Sequence, residues 1–291
     1  MAEPFPIAYL NGEFVPLREA RVSPLDRAFL YADSVYEVMP VYGGRVFRFR
    51  EHFDRLDRSL GELQMRPVHS REQWAELCDG LIARNGGGDM YLYVQVSRGA
   101  EFGRNHAPLP DIERTVFAFA SALPPLTQER LEGGVAAVTA EDTRWSRCDI
   151  KSTALLANVL LKQLAVDANA AETILIRDGF LMEGASTTVH VVLGGAIQTP
   201  PKSHSILPGT TRDVVSELAT RSRIPFRAAP VTAAELKQAP ELFIAAATIG
   251  TLAVTRLDGQ PVGAGVPGPV WKQIHAAFES YKGELAGTPA Y

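Results

Sequence analysis

Hydrophobic and polar positions in the first half of the chain predict hairpins followed by helices. Asn11-Gly12 separates two short apolar runs, and this dipeptide tolerates the positive φ that a type I′ turn requires. A second hairpin is predicted over residues 34–49, with its turn at Gly43-Gly44. Two helices and then two strands are predicted from there on, over 53–63, 74–82, 90–96 and 115–120.

A polar, turn-rich stretch divides the chain into two predicted domains. The linker is predicted over residues 122–134, between domains at 1–121 and 135–291. The predicted elements of the second domain are a strand at 135–140, a helix at 153–169 capped by Ser152 or Thr153, hairpins turning at 178–179 and 194–195, a helix from Thr210, a strand at 242–246 and a helix at 269–285. This pattern predicts an α/β fold of the α+β type, with hairpin-rich sheets flanked by helices.

Composition narrows the class of protein. Hydrophobic residues make up 46% of the 291 positions and charged residues 21%, which excludes a disordered chain, a fibre and a disulfide scaffold. A net charge of -4 gives no electrostatic indication of a nucleic-acid or membrane partner. The apolar run at 243–254 is too short to span a bilayer, and residues 1–4 lack the pattern of a secretory signal. The two cysteines, Cys78 and Cys148, suit a reducing compartment, so we expect a cytoplasmic protein.

One of the six lysines has an unusual setting. Lys151 follows a segment that contains two arginines and directly precedes the predicted helix cap. Desolvation and like charge at such a boundary favour the neutral, nucleophilic amine that a Schiff base requires. A solvated lysine, or one paired with Asp149, fits the same local pattern.

Five segments resemble the signatures of fold-type IV pyridoxal-phosphate enzymes, and they occur in the family's order and spacing. Within this fold the chain is most similar to D-amino acid aminotransferases. The segments are Asp26 to Val38, Glu51 to Leu56, Arg144 to Ser152, Met182 to Ser186 and Ile206 to Asp213.

The resemblance implies pyridoxal 5'-phosphate as cofactor, bound between the two domains and joined to Lys151 as a Schiff base. It also implies that Glu183 faces the pyridine nitrogen, since a carboxylate there keeps the ring protonated. The residues implied for the phosphate are Arg55, Thr210, Thr211 and Thr248. Without the resemblance, the residues around Glu183 and Arg55 would predict solvated side chains at both positions. Thr210 and Asp213 would predict an ordinary helix cap.

Substrate choice rests on a loop tripeptide, Arg104-Asn105-His106. In D-amino acid aminotransferases a similar arginine and histidine reach across from the partner subunit and bind the substrate α-carboxylate together with a tyrosine, here Tyr36. The resemblance therefore implies a homodimer with shared active sites. It also implies ping-pong transamination of D-amino acids with 2-oxo acids, such as D-alanine with 2-oxoglutarate.

The chain departs from the family pattern at Pro40, at Thr188, where an asparagine is usual, and at Ala247, where a phosphate-binding threonine is frequent. We expect the adjacent Thr248 to replace that threonine; the alternative is that this contact is missing and the phosphate is held less tightly. Alternatives with the same fold are a branched-chain L-amino acid aminotransferase, an (R)-amine transaminase and an aminodeoxychorismate lyase. A non-catalytic binding protein would have lost the lysine, the acidic residue or the phosphate turn, and all three are present. No nucleotide-binding glycine pattern and no metal-binding histidine spacing occur.

Overall fold

The structure is a computed structural model that describes residues 3–124 and 126–285. Residues 1–2, 125 and 286–291, which include parts of the predicted domains, of the linker and of the segment inspected for a secretory signal, lie outside the described residues. The described chain divides into two compact units. The first contains the described residues up to Pro124, the segment Ile150–Ala154 and the described residues from Glu284 on. The second contains the described residues of Pro125–Asp149 and Leu155–Gly283.

The first unit is built on an antiparallel sheet. Its strands are β1 (Pro4–Leu10), β2 (Glu13–Pro16), β3 (Ser34–Tyr42), β4 (Arg45–Val46), β5 (Met90–Ser97) and β6 (Thr115–Ser121). They pair in the order β2-β1-β6-β5-β3-β4. The helices of this unit are α1 (Arg27–Tyr31), α2 (Phe49–Glu62) and α3 (Arg71–Arg84).

Both predicted hairpins of the first unit are confirmed, the second with a shorter return strand. Asn11 and Gly12 have φ values of 49° and 101°, as the turn between β1 and β2 requires. After the turn at Gly43-Gly44, β4 is only two residues long. The chain then leaves the sheet because Arg48 adopts a left-handed φ of 56° as the N-cap of α2.

Helix α2 packs against β3, and α3 packs against β1. The helical spacing predicted for α2 is confirmed, since Phe53, Leu56 and Leu60 are completely buried. Burial of each such side chain contributes about 1.5–3 kcal/mol. Ile150 joins the same core, although it lies far from these helices in sequence.

The second unit is built on a mixed sheet flanked by helices. Its strands are β7 (Val135–Glu141), β8 (Glu172–Arg177), β9 (Phe180–Gly184), β10 (Thr188–Leu193), β11 (Ala196–Thr199), β12 (Phe226–Ala228), β13 (Glu241–Ala246), β14 (Gly250–Leu257) and β15 (Gln260–Pro261). They pair in the order β12-β11-β10-β13-β14-β7-β8-β9, with β15 on β14. Its helices are α4 (Gln128–Gly133), α5 (Leu156–Asp167), α6 (Thr210–Arg221), α7 (Ala233–Gln238) and α8 (Pro269–Leu285). The last two residues of α8 belong to the first unit.

The observed elements confirm the predicted α/β fold of the α+β type, with several local differences. The apolar run 243–254 forms two antiparallel strands: the strand predicted at 242–246 is β13, and β14 was not predicted. Part of the predicted linker forms α4. The predicted cap of α5 is wrong, because this helix begins at Leu156, and Thr153 instead lies with its Oγ1 2.5 Å from the Oγ of Ser34. None of the helices in the part of the chain that the structure describes has the length and apolar character needed to cross a membrane.

A comparison of Gly12 and Gly99 distinguishes the effect of backbone strain from the effect of close packing. Gly99 and Gly12 have almost the same φ, 105° and 101°. A Cβ at Gly99 would overlap the carbonyl oxygen of Glu113, whereas one at Gly12 would have no neighbour within 4 Å. We expect Gly12→Ala to lower the free energy of unfolding by about 1 kcal/mol and Gly99→Ala by about 3 kcal/mol or more. Chemical denaturation measures both, and equal losses would contradict the packing argument.

Candidate active site

Lys151 is fixed to the first unit by its own main chain. Its carbonyl accepts a hydrogen bond of 2.9 Å from the N–H of Tyr36 in β3, and its N–H donates to the Oγ of Ser59 at 3.3 Å. The Nζ of Lys151 lies 4.4 Å from the centroid of the Tyr36 ring. The structure thus brings together the predicted Schiff-base lysine and the predicted carboxylate-binding tyrosine.

Arg55 belongs to a buried charged triad in the same unit. Its Nε and Nη2 each donate to the carboxylate of Glu37 at 2.7 Å, and the Nδ1 of His52 lies 2.7 Å from the same carboxylate. Burial alone raises the pKa of Glu37, but the charge of Arg55 and the hydrogen bonds from Arg55 and His52 bring it down to about 2. Glu37 is therefore ionised at neutral pH, and its fork-to-fork pairing holds the guanidinium in one orientation.

The local interpretation of Arg55 as a solvated side chain is therefore wrong. Glu37 and His52 were not predicted as site residues. The available signal was their position, since Glu37 follows Tyr36 in the first signature and His52 lies in the second. The assignment of Arg55 to the cofactor phosphate stays a prediction.

Arg104 and His106 lie in the loop between β5 and β6, and both are exposed. The Arg104 guanidinium carbon lies 5.2 Å from the ring centroid of Tyr31 in α1, and the His106 ring lies 5.4 Å from the same ring. Tyr36 stacks instead on Tyr93, with ring centroids 5.5 Å apart. The structure therefore gathers the arginine and histidine around Tyr31, a residue that was not predicted as part of the site.

Glu183 lies at the end of β9 with its side chain buried, so the local interpretation as a solvated glutamate is wrong. Its Oε1 accepts a hydrogen bond of 2.5 Å from Nη1 of Arg144, and the N–H of Leu207 donates to both carboxylate oxygens at 3.1 and 3.2 Å. Arg144 also donates to Asp142 through Nε at 2.9 Å, and Asp142 accepts from Arg177 at 2.9 Å. Arg144 thus lies between two buried carboxylates.

The electrostatics of Glu183 fit a cationic ligand. Burial raises the pKa of Glu183 to about 7, even though Arg144 and the Leu207 N–H favour the ionised form. A second positive charge at this carboxylate would stabilise its ionised form further. The protonated nitrogen of a pyridine ring is such a group, so the donors and acceptors around Glu183 fit the ring of pyridoxal phosphate.

The start of α6 has the features of an anion site. Its N-cap is Gly209, which has no side chain to accept from the first N–H groups of the helix. Thr210 and Thr211 are buried in the first turn. The predicted cap of Thr210 with Asp213 is wrong, because Gly209 is the N-cap and Thr210 is already the first helical residue; Asp213 pairs with Nζ of Lys202 at 2.7 Å.

The three departures from the family pattern lie at defined positions. A Cβ at Gly209 would approach the Oγ1 of Thr188 to 2.8 Å, so Thr188 packs directly under the start of α6. Pro40 stays inside β3, and its carbonyl accepts a 2.8 Å hydrogen bond from the N–H of Phe47. Ala247 and Thr248 lie half-buried in the turn between β13 and β14, and the phosphate role of Thr248 stays a prediction.

Glu172 is a further buried carboxylate that was not predicted. It accepts from Oγ of Ser186 at 2.7 Å and from Nζ of Lys162 at 3.1 Å, and its side chain would meet a Cβ at Gly184. These contacts hold the turn that follows Glu183. Among the residues of the ranges 3–124 and 126–285, no three His, Cys, Asp or Glu side chains converge on a metal-binding position.

A family model described as amino-transferase class IV matches residues 34–257. The chain belongs to the amino-transferase class IV family. The matched range contains Glu37, Arg55, Lys151 and Glu183, together with the start of α6. The predicted membership of fold-type IV is confirmed.

The relatives of this aminotransferase include proteins named D-alanine aminotransferase and proteins named branched-chain amino acid aminotransferase. D-alanine aminotransferases of Staphylococcus epidermidis and Staphylococcus aureus are 39% identical over 274 residues, which is 94% of this chain and 96% of theirs. Among solved structures, the branched-chain amino acid aminotransferase of Escherichia coli has a TM-score of 0.88 at 28% identity, covering 95% of this chain and 94% of the other. A T.th. branched-chain amino acid aminotransferase with pyridoxamine 5'-phosphate has a TM-score of 0.87 at 27% identity, covering 96% and 95%.

The buried triad of this aminotransferase can be tested through its pH dependence. Glu37→Gln leaves Arg55 without its buried counter-charge, and we expect a loss of about 3–5 kcal/mol in the free energy of unfolding at pH 7. The pKa of Glu37 is about 2 in the folded chain, against an ordinary glutamate value of 4.5, which applies to the unfolded chain. Its contribution is therefore present above pH 4.5 and is lost as the pH falls through about 2.

Chemical denaturation of wild type and variant between pH 7 and pH 3 measures the difference between their free energies of unfolding. We expect this difference to become smaller below pH 4.5. Glu51→Gln in α2, the helix that carries Arg55, is the matched control. Glu51 pairs with Arg48, but its side chain is 45% exposed, so we expect a much smaller loss in the free energy of unfolding. A gap for Glu37→Gln that does not change with pH would contradict the ion-pair account.

Proposed function

We propose that the chain is a pyridoxal-phosphate-dependent D-amino acid aminotransferase that passes the amino group to a 2-oxo acid, as from D-alanine to 2-oxoglutarate. The proposed substrate class rests on the 39% identity, over 94% of the chain, to relatives named D-alanine aminotransferase. Structures named branched-chain aminotransferases share the fold at 27–28% identity. Since one fold serves several substrates, the fold alone does not choose between them.

Pyridoxal phosphate supplies an aldehyde and a ring that accepts the electrons released at the substrate's Cα. In the proposal, Lys151 is the amine that holds the aldehyde. Once the substrate's amino group has taken its place, the freed amine of Lys151 would remove the Cα proton and deliver it to the cofactor carbon that carried the aldehyde. The hydrogen bonds from Tyr36 and to Ser59 hold the main chain of Lys151 still during this exchange.

Glu183 has the task of keeping the ring nitrogen protonated, which strengthens the ring as an electron acceptor. Arg144 supports this role because its guanidinium donates to Glu183 while Asp142 compensates part of its charge. Burial outweighs the pairing with Arg144, so the carboxyl has a pKa of about 7. A cationic ring nitrogen beside Glu183 would favour its ionised form further.

The phosphate of the cofactor requires several donors. Arg55 contributes a guanidinium whose orientation Glu37 fixes. Thr210 and Thr211 contribute the N-terminus of α6, where the helix dipole favours an anion. Thr248 takes the place of the threonine that the family often has at the position of Ala247.

The substrate carboxylate is assigned to Tyr36, Arg104 and His106. An arginine, a histidine and a phenol around one carboxylate define which face of Cα is presented to the base. In the proposal the base is Lys151, and the face presented is that of the D enantiomer.

A homodimer in which a second copy supplies Arg104 and His106 is part of the proposal. Helix α5 supports it, because an apolar face of this helix is exposed in the single chain. Leu156, Val159 and Leu160 on this face are 73%, 61% and 62% exposed. A cytoplasmic location is also proposed, and the two free buried cysteines, Cys78 and Cys148, support a reducing compartment.

The decisive experiment is a half-reaction with the cofactor-loaded protein in the absence of a 2-oxo acid. We expect D-alanine to convert the pyridoxal absorption into that of the pyridoxamine form, because ping-pong transfer leaves the amino group on the cofactor. L-alanine and L-leucine should leave the spectrum unchanged.

Each alternative function gives a different result. Conversion by L-leucine alone would identify a branched-chain enzyme, and efficient conversion by an (R)-amine without a carboxylate would identify an amine transaminase. Absence of conversion with every amino donor would contradict aminotransferase activity and favour the lyase or a non-catalytic binding protein.

A further inference from the structure

Arg27 is a buried arginine that belongs to the first signature and has no part in the function proposed so far. It is 3% exposed. Its Nη1 donates to the carbonyl of Asn105 at 2.7 Å, and its Nη2 donates to the carbonyl of His106 at 2.8 Å. One guanidinium therefore holds the two consecutive peptide groups on either side of His106, close to Arg104.

Two carboxylates fix the guanidinium in turn. Nε of Arg27 donates to Asp33 at 2.8 Å, and Nη1 also pairs with Oε1 of Glu101 at 2.5 Å. The other oxygen of Glu101 accepts from the N–H of Leu109 at 3.1 Å. We call residues 101–110 the carboxylate loop; Glu101 and Leu109 lie near its two ends. Arg27 binds the middle of this loop directly and is linked to both of its ends through Glu101.

Side-chain packing links the same arginine to the predicted substrate groups. The Arg27 guanidinium carbon lies 4.7 Å from the ring centroid of Tyr31. Arg104 and His106 lie against that ring at 5.2 and 5.4 Å. Apart from these contacts the loop is open to solvent, as Phe102 illustrates with a fully exposed side chain. The loop has no apolar core of its own that could fix its conformation.

We infer that Arg27 is the positioning residue for recognition of the substrate carboxylate, because it sets the main-chain conformation from which Arg104 and His106 project. The inference rests on the proposed function, in which those two side chains bind the carboxylate. An arginine is required at this position because its planar fork serves two carbonyls and two carboxylates at once, whereas a lysine has one point charge and three donors at a single atom.

The test uses the cofactor-loaded Arg27→Lys variant. We expect KM for D-alanine and for the 2-oxo acid to rise by about tenfold or more, with kcat changed by less than about threefold, since both substrates carry the carboxylate. Retention of the cofactor should not change. Hydrogen exchange of the amides in the carboxylate loop should become faster, because the loop loses its attachment.

Arg98→Lys is the matched control. Arg98 shares Asp33 with Arg27, with an Nε to Oδ2 distance of 2.7 Å, and it also donates to a carbonyl, that of Leu63 outside the loop. We expect a comparable loss of stability but unchanged KM values and unchanged exchange in the carboxylate loop. If Arg27→Lys does not fold, Glu101→Gln provides the second variant, with a smaller rise in KM in the same direction.

Three results are informative. Unchanged KM and unchanged loop exchange in Arg27→Lys, or an equal rise of KM in Arg98→Lys, would overturn the positioning role. Arg104→Ala separates this failure from failure of the proposed function. If Arg104→Ala raises KM for D-alanine and Arg27→Lys does not, only the inference is wrong. If Arg104→Ala leaves KM unchanged, the carboxylate assignment itself is wrong.

Discussion

The position of Lys151 depends on a short pairing between distant parts of the chain. Residues 150–154 lie more than 100 positions after β3, yet Val35 pairs with Ser152 and the N–H of Tyr36 donates to the Lys151 carbonyl. The hydroxyls of Ser34 and Thr153 meet on the same edge. Because β3 lies inside a sheet and packs against α2, this pairing fixes the main chain of Lys151, the predicted Schiff-base lysine, to a rigid part of the core.

The two units each contain a buried glutamate, Glu37 in the first and Glu183 in the second, and the pKa values of these two carboxyls differ. Glu37 is paired with Arg55 and lies close to His52, which lowers its pKa to about 2 and leaves it ionised at every physiological pH. Glu183 has Arg144 as its partner, but burial outweighs that pairing and raises its pKa to about 7. The first arrangement is complete and orients a side chain. In the second, a further positive charge would favour the ionised form of Glu183, which suits a cationic ligand.

Local signals in the sequence predicted most elements well, including the bounds of α8 and the start of α6, but they predicted the caps of α5 and α6 wrongly. The turns at Asn11-Gly12 and Asp178-Gly179 and the buried face of α2 follow from neighbouring residues alone. The caps at Thr153 and Thr210 failed because the first side chain meets Ser34 from another part of the chain and the second helix uses Gly209 as its N-cap. The roles of Lys151 and Glu183 were predicted through resemblance, and the setting of Lys151 in the sequence also favoured it. Their partners Ser59 and Arg144 depend on long-range folding, which no local pattern reports.

The most direct test of the account is to locate the amine that holds the cofactor. Borohydride reduction of the cofactor-loaded protein makes the link between amine and aldehyde permanent, and proteolysis with mass spectrometry then identifies the modified lysine. The account predicts the added mass on the peptide that contains Lys151 and on no other. Modification of one of the other five lysines, or cofactor retained with no lysine modified, would contradict it.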